Sequence, residues 1–391
     1  MRQVFRSLTA AAIVMAVAGA SIALADEDDS RADHNAYVVT PLVSNLPGAA
    51  ALRDPVLQNA WGVVFTPSGS PFWVNDNATG CSTLYAGDGT KIGLQVSIPL
   101  PGGMVAPNSC QPFDFSNPPA SAPAAPTGIV WNPSTSFLVP GTKLAASFIF
   151  ATEDGTLSAW TGGLSPATDA VIAIDNSANP SSAAGAVYKA LVFGLSAKGL
   201  LLYATNFRHA TVDVFGPTGA DGMFTPTTTD GGFADPNIPA GYAPFGIANI
   251  DGDLFVTYAK QNAGQHDDVA GPGHGFVDVF DTDGHLLRRF ASRGVLNSPW
   301  AVTRASFAFG RFSGRILVGN FGNGHINAFD NDGRFVGELE DSHGKPLAID
   351  GLWTLTPGGG RGSRSDALYF AAGPNGETNG SFGTIAPASE P

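Results

Sequence analysis

The residues best equipped for chemistry crowd into one stretch. Between positions 260 and 275 the chain places Lys260, His266, Asp267, Asp268 and His274. Imidazole and carboxylate together suit Zn²⁺ or another divalent transition metal, with the aspartates ligating or orienting the histidines. The spacing matches no established zinc motif, and a loop aspartate also caps turns by accepting backbone N–H bonds. Three uses therefore stand side by side: a metal or catalytic site, bracing of the loop, or plain solvated surface. A second set is dispersed. Asp76, Glu153, Asn206 and Asn320 supply the hard oxygen that Ca²⁺ or Mg²⁺ prefers. Such a metal would polarise a carbonyl for hydrolysis. Asn77, Asp154, Arg208 and His325 neighbour these positions and complete a set of ligand-binding residues.

Other signatures are missing. Gly271-Pro272-Gly273-His274-Gly275 is not a dinucleotide fingerprint, because no βαβ unit surrounds it. The sequence has no G-x-S-x-G elbow and no P-loop, and no residues match those of a quinoprotein-type oxidoreductase.

What must position the site is a unit of about fifty residues written six times. Its plainest strands are Phe72-Trp73-Val74-Asn75, Phe148-Ile149-Phe150-Ala151, Leu201-Leu202-Tyr203-Ala204, Leu254-Phe255-Val256-Thr257, Ile316-Leu317-Val318-Gly319 and Leu368-Tyr369-Phe370-Ala371. Three apolar residues followed by a small or polar one describe a strand buried on both faces that emerges at a loop. Asp88-Gly89, Asp283-Gly284 and Asp332-Gly333 read as hairpin turns. A calcium-loop reading of the last two fails, lacking glycine at the sixth position and glutamate at the twelfth. These features predict an all-β, six-bladed β-propeller of four-stranded antiparallel blades. The isolated strand 36–40 completes the sixth blade and closes the ring, removing two exposed edges. Loops after each second strand then gather the chemical residues at one mouth of the channel. Trp61, Trp300 and Trp353 open their blades, where core packing explains them better than stacking on a sugar.

Arg2 and Arg6, an apolar stretch over 8–24 and Ala23-Leu24-Ala25 before Asp26 predict a secretory signal peptide, residues 1–25. No later segment approaches the ~20 consecutive apolar residues that span a bilayer. Residues 26–35 and 386–391 are expected to be disordered flanks of a single propeller domain, 36–385. The formal charge of −13 becomes more negative once Arg2 and Arg6 are removed, which argues against nucleic acid and anionic membranes. Charged residues make up 14% of the chain against 49 glycines and 29 prolines, while 43% is hydrophobic, which fits short strands and many turns rather than disorder. Cys81 and Cys110 are the two cysteines, and in an oxidising compartment they are expected to pair. Free thiols or a soft metal site are the rival readings.

Several stretches carry a resemblance. Asn59-Ala60-Trp61-Gly62-Val63, Ala204-Thr205-Asn206-Phe207-Arg208 and His266-Asp267-Asp268-Val269-Ala270-Gly271-Pro272-Gly273 resemble an uncharacterised family of exported bacterial propellers, some ending in a PEP-CTERM sorting tail. So do Phe150-Ala151-Thr152-Glu153-Asp154-Gly155 and Ile349-Asp350-Gly351-Leu352-Trp353. The likeness spans roughly 36–385. It implies the fold and no activity, and this chain lacks the apolar tail and arginine cluster of a sorting signal. More distantly, the fold is similar to NHL-type and gluconolactonase-type propellers. The expectation is a secreted or periplasmic module that binds a small molecule or an envelope or extracellular partner at its loop-rich mouth. The alternative is a metal-assisted hydrolase or lactonase using Ca²⁺, Mg²⁺ or Zn²⁺ there.

Overall fold

Six antiparallel sheets follow one another along the chain, each starting with the strand nearest the axis. The computed structural model describes residues 36–218 and 222–388. The expected signal peptide, residues 1–25, and the flank 26–35 lie outside them. The innermost strands are Ala60–Val64, Pro126–Trp131, Tyr188–Ser196, Tyr242–Ile250, Pro299–Arg304 and Leu352–Pro357. Blades 1 to 5 run outwards in chain order as four-stranded sheets. No helix among the described residues is long and apolar enough to cross a membrane.

Blade 6 is assembled from both ends of the described chain. Strand Tyr37–Ser44 lies antiparallel to Ser381–Pro387, pairing Val38 with Ala386 and Thr40 with Thr384. A two-residue strand, Leu52–Arg53, then adds in parallel outside it. Closure by the N-terminal strand is as the sequence predicts. The C-terminal strand runs further than expected, because Ala386 and Pro387 pair with Val38 and Tyr37 instead of fraying. The core is distributed between blades. Trp73 of blade 1 stacks on Phe148 of blade 2 at 4.2 Å, and Phe72 stacks on Tyr369 of blade 6 at 4.3 Å. Each blade covers its neighbours' faces, so the ring grows without a single oversized core.

Cys81 and Cys110 form a disulfide that ties the third strand of blade 1 to the long link before blade 2. The three Asp-Gly pairs form tight turns, with Gly89, Gly284 and Gly333 at φ of 87°, 79° and 86°.

One irregularity occurs in all six blades. Pairing of the innermost strand slips near its start: between Ala60 and Val63, Pro126 and Ile129, Tyr188 and Ala190, Pro244 and Ile247, Pro299 and Ala301, and Leu352 and Thr354. A bulge re-aims the side chain it carries. The first residues in the slips are Trp61, Thr127, Lys189, Phe245, Trp300 and Trp353, followed by a glycine (Gly62, Gly128, Gly246) in blades 1, 2 and 4. Backbone groups freed by the bulges find partners on the second strands. The Thr205 hydroxyl accepts from Ala190 N at 2.9 Å and donates to Phe245 O at 3.0 Å. Thr257 accepts from Gly246 N at 2.8 Å, and the Asn75 amide donates to Thr127 O at 2.9 Å. Polar residues on these second strands are thus explained by the backbone accounting that every buried peptide group must satisfy.

Candidate functional site

The bulge residues meet across the axis. Trp61 of blade 1 stacks on Trp353 of blade 6 at 3.4 Å and meets Trp300 of blade 5 edge-on at 6.2 Å. Phe245 of blade 4 lies 5.8 Å from Trp353, and Phe321 stacks on Trp353 at 3.9 Å. Contacts between blades that are not neighbours require the side chains to fill the channel. This aromatic plug divides it. On the far side, a cavity of about 510 Å³ is walled by the second halves of the innermost strands, including Val64, Val130, Val192, Arg304 and Pro357, with Trp300 at its inner end. On the loop-rich side the plug forms the floor of a charged cluster.

Lys189 is the one charged side chain among the six bulge residues. It is 2% exposed. Its ammonium pairs with Glu153, stands 3.8 Å from Asp267 Oδ1, and lies 5.3 Å from the Trp61 ring centre and 5.7 Å from that of Phe207. Buried charge is tolerated only when paired and hydrogen-bonded, and aromatic faces add cation–π attraction. The Asn77 amide donates to Glu153 Oε2 at 2.9 Å. Asn59 donates to both Asn77 Oδ1 and Glu377 Oε1 at 3.1 Å, and accepts from Trp353 Nε1 at 3.1 Å. From above, the blade 4 insertion brings His266, whose Nδ1 is 2.7 Å from Asp267 Oδ1. Ligating atoms of Glu153, His266 and Asp267 all lie within 4.8 Å of one another.

The cluster is rich in carboxyls. Burial lifts Glu377 to about 7, with Glu153 adding to the shift. Burial also raises Asp154 and Asp268. The hydrogen bond with His266 instead holds Asp267 below the usual carboxylate range. Asp154 accepts from Ala125 N at 2.8 Å. One oxygen of Asp268 is buried beside the Ser298 hydroxyl. Four carboxyls from blades 2, 4 and 6, Glu153, Asp267, Asp268 and Glu377, therefore face one buried ammonium, with Asp154 beside Glu153.

The structure brings together part of each set singled out in the sequence. His266 and Asp267 meet Glu153, whereas His274 turns back on its own loop, its Nδ1 2.7 Å from Val269 O. Of the hard-oxygen set, only Glu153 reaches the cluster. Asp76 is buried inside blade 1, Asn206 donates to Asp213 at 2.9 Å, and Asn320 braces the link leading into its own blade by donating to Val295 O at 2.8 Å. Arg208 donates to Gly185 O at 2.9 Å, His325 pairs with Glu338 at 3.1 Å, and the Lys260 carbonyl accepts from Val269 N at 2.7 Å. The Asp76, Glu153, Asn206, Asn320 quartet is thus not a single channel site, since each side chain but Glu153 serves its own blade.

No family model matches the chain. It is 32% identical over 353 residues to the uncharacterized protein R648 of Acanthamoeba polyphaga mimivirus, covering 89% of this chain and 80% of that protein. It is 31% identical over 352 residues to the uncharacterized protein L690 of the same virus, covering 89% and 85%. The chain belongs to the family of these two proteins. The family members found are viral, where the sequence motifs resemble exported bacterial proteins. Among solved structures, a luciferin-regenerating enzyme overlays with a TM-score of 0.49 at 12% identity, covering 90% of this chain and 96% of that one. A gluconolactonase from Xanthomonas campestris gives 0.46 at 13%, covering 85% and 88%. At such identities neither activity is carried over to this family.

Lys189, Glu377 and Asn59 are site residues that sequence reasoning misses. Lys189 had a signal. The opening positions of the six blades hold Trp, Thr, Lys, Phe, Trp and Trp, and an ionisable residue in that column is the odd one out. Glu377 lies in the loop after the second strand of blade 6, the counterpart of the loops that carry Glu153 in blade 2 and His266 in blade 4, and its place in the repeat was its signal.

Proposed function

We propose that this protein is an exported ligand-binding propeller whose loop-rich mouth takes a small cationic ligand. The observation that carries the reading is the excess of carboxyls around Lys189: Glu153, Asp267, Asp268 and Glu377, held over an aromatic floor. Such a mouth focuses a negative potential and attracts cations. His266 and Asp267 are its exposed rim, with side chains 39% and 61% accessible, so a ligand meets them first. Export is supported by the basic and apolar start of the sequence and by the Cys81–Cys110 bridge, which suits an oxidising compartment.

A second reading rests on the Glu153, His266 and Asp267 triad. Its nitrogen and oxygen donors suit a divalent transition metal, which would make the mouth a metal-assisted hydrolase. Lys189 weighs against it, because an anchored ammonium already neutralises Glu153 where that metal would sit.

Calorimetric titration of the purified protein with Zn²⁺ and, separately, with n-butylammonium separates the readings. Saturable binding of either cation that is lost in Glu153→Gln and in Asp267→Asn supports the cationic mouth. Absence of binding by both overturns it. Stoichiometric Zn²⁺ together with metal-dependent cleavage of a lactone or ester would instead favour the hydrolase.

A further inference from the structure

A second chamber lies beside the mouth, over the seam between blades 3 and 4. It is a cavity of about 630 Å³. The link that leads into blade 4 supplies one wall, with Phe233, Pro236 and Pro239. The first two strands of blade 4 supply another, with Tyr242, Pro244 and Tyr258. Ala210 closes it from blade 3, and Gln265 reaches it from the insertion that carries His266.

The groups this lining leaves free are neutral. Its one charged side chain is Asp235, whose Oδ1 accepts from Asn237 N at 2.7 Å and whose Oδ2 pairs with Arg289. Arg289 also pairs with Asp278, which lies outside the lining. The tyrosines are not engaged in this way. Tyr258 is 4% exposed and Tyr242 9%, and the Tyr242 ring is held edge-on against Phe276 at 4.9 Å. Neither hydroxyl has a hydrogen-bond partner among the described residues, and neither is sealed from solvent. Burial and the carboxyls of Asp278 and Asp235 keep the Tyr258 hydroxyl protonated, so it can donate as well as accept. Backbone strain gathers here too. Ala210, Phe233 and Gln265 hold φ of 53°, 55° and 52°, three of the eleven non-glycine residues with positive φ among those described. Such conformations persist only where the surroundings enforce them, and they cluster at ligand sites.

These free groups eliminate most ligand classes. An apolar molecule would leave two nearly buried hydroxyls unpaired. An anion would face two carboxyls that share one guanidinium, and a cation would find no free carboxylate in the lining. What remains is a neutral molecule whose hydroxyls donate and accept around flat apolar faces. We propose that this cavity binds a neutral carbohydrate, one sugar ring lying against the aromatic and proline walls while its hydroxyls pair with Tyr242, Tyr258 and the Gln265 amide. The site is separate from the mouth and its proposed cationic ligand, although the blade 4 insertion borders both.

The test is an array of neutral oligosaccharides probed with the purified protein, followed by calorimetric titration with the strongest binder. Wild type should retain at least one neutral oligosaccharide. Tyr258→Phe and Tyr242→Phe keep the rings and remove only the hydroxyls, so each should fold and weaken binding about tenfold. Gln265→Ala, at an exposed position, should weaken it as well. Titration of the same variants with n-butylammonium should match wild type, so failure of this site and failure of the cationic mouth are told apart. Retention of no neutral sugar overturns the proposal, as does an affinity that survives both tyrosine substitutions. Retention of acidic or amino sugars alone also overturns it, because the cavity would then be selecting charge.

Discussion

The ammonium of Lys189 in blade 3 pairs with the carboxylate of Glu153 in blade 2 while resting over the indole of Trp61 in blade 1. Three blades are tied at one point on the axis. Removing one partner of a buried pair strands the other charge. Lys189→Met should therefore cost about 3 kcal/mol of unfolding free energy, and the double variant with Glu153→Gln should recover much of it. Chemical denaturation of the two single variants and the double variant checks this; additive losses would show that the two residues do not interact.

Glu377 supplies a pH dependence. Its folded pKa of about 7 exceeds the ordinary 4.5, so the fold binds its proton more tightly than the unfolded chain does. The stability from this group is present at low pH and is lost as pH rises from about 4.5 to about 7. Glu377→Gln should raise the melting temperature at pH 8 and leave it unchanged near pH 4. A profile identical to wild type would mean that Glu377 titrates normally.

The bulges set a limit on side-chain volume near the axis. A Cβ at Gly246 would lie 2.0 Å from Trp300 O, which is backbone and cannot swing away. We expect Gly246→Ala to lose at least about 3 kcal/mol, at or beyond the upper end of ordinary overpacking. Gly252→Ala, where the Cβ would meet open space, is the control. It should cost less, through its φ of 99° alone. Similar losses in the two variants would refute the crowding argument.

The disulfide closes a span of 29 residues. Its removal should destabilise the protein by about 3–4 kcal/mol in the chain-entropy account. Thiol titration of denatured protein before and after reduction, with melting in each state, gives the answer. Free thiols in unreduced protein would contradict the bridge.

The ring was largely legible in the sequence, and the site was not. Runs such as Ile316-Leu317-Val318-Gly319 report burial, and burial repeats with the blade, so strand order, hairpin turns and closure through residues 36–40 can be read directly. The site depends on what breaks the repeat. A bulge changes which way a side chain points without altering the apolar pattern, so Trp61 and Trp353 look like ordinary strand residues. His266 and Asp267 were visible as a ligand-rich pair, but their partner Glu153 lies in another blade and only the folded ring joins them. Asp76 showed the reverse. Its place beside Asn77 suggested the mouth, yet strand alternation turns it into the blade interior.

Sealing blade 6 with Tyr37–Ser44 also imposes an order on assembly. The first described strand cannot find its partner until residues 381–387 have been delivered, almost the whole chain later. During synthesis that strand must wait with an open edge. Pairing at such sequence separation is slow and leaves the edge exposed to other chains. A truncation that removes even the last few paired residues would therefore act less by lost contacts than by leaving an unsealed ring that recruits its neighbours.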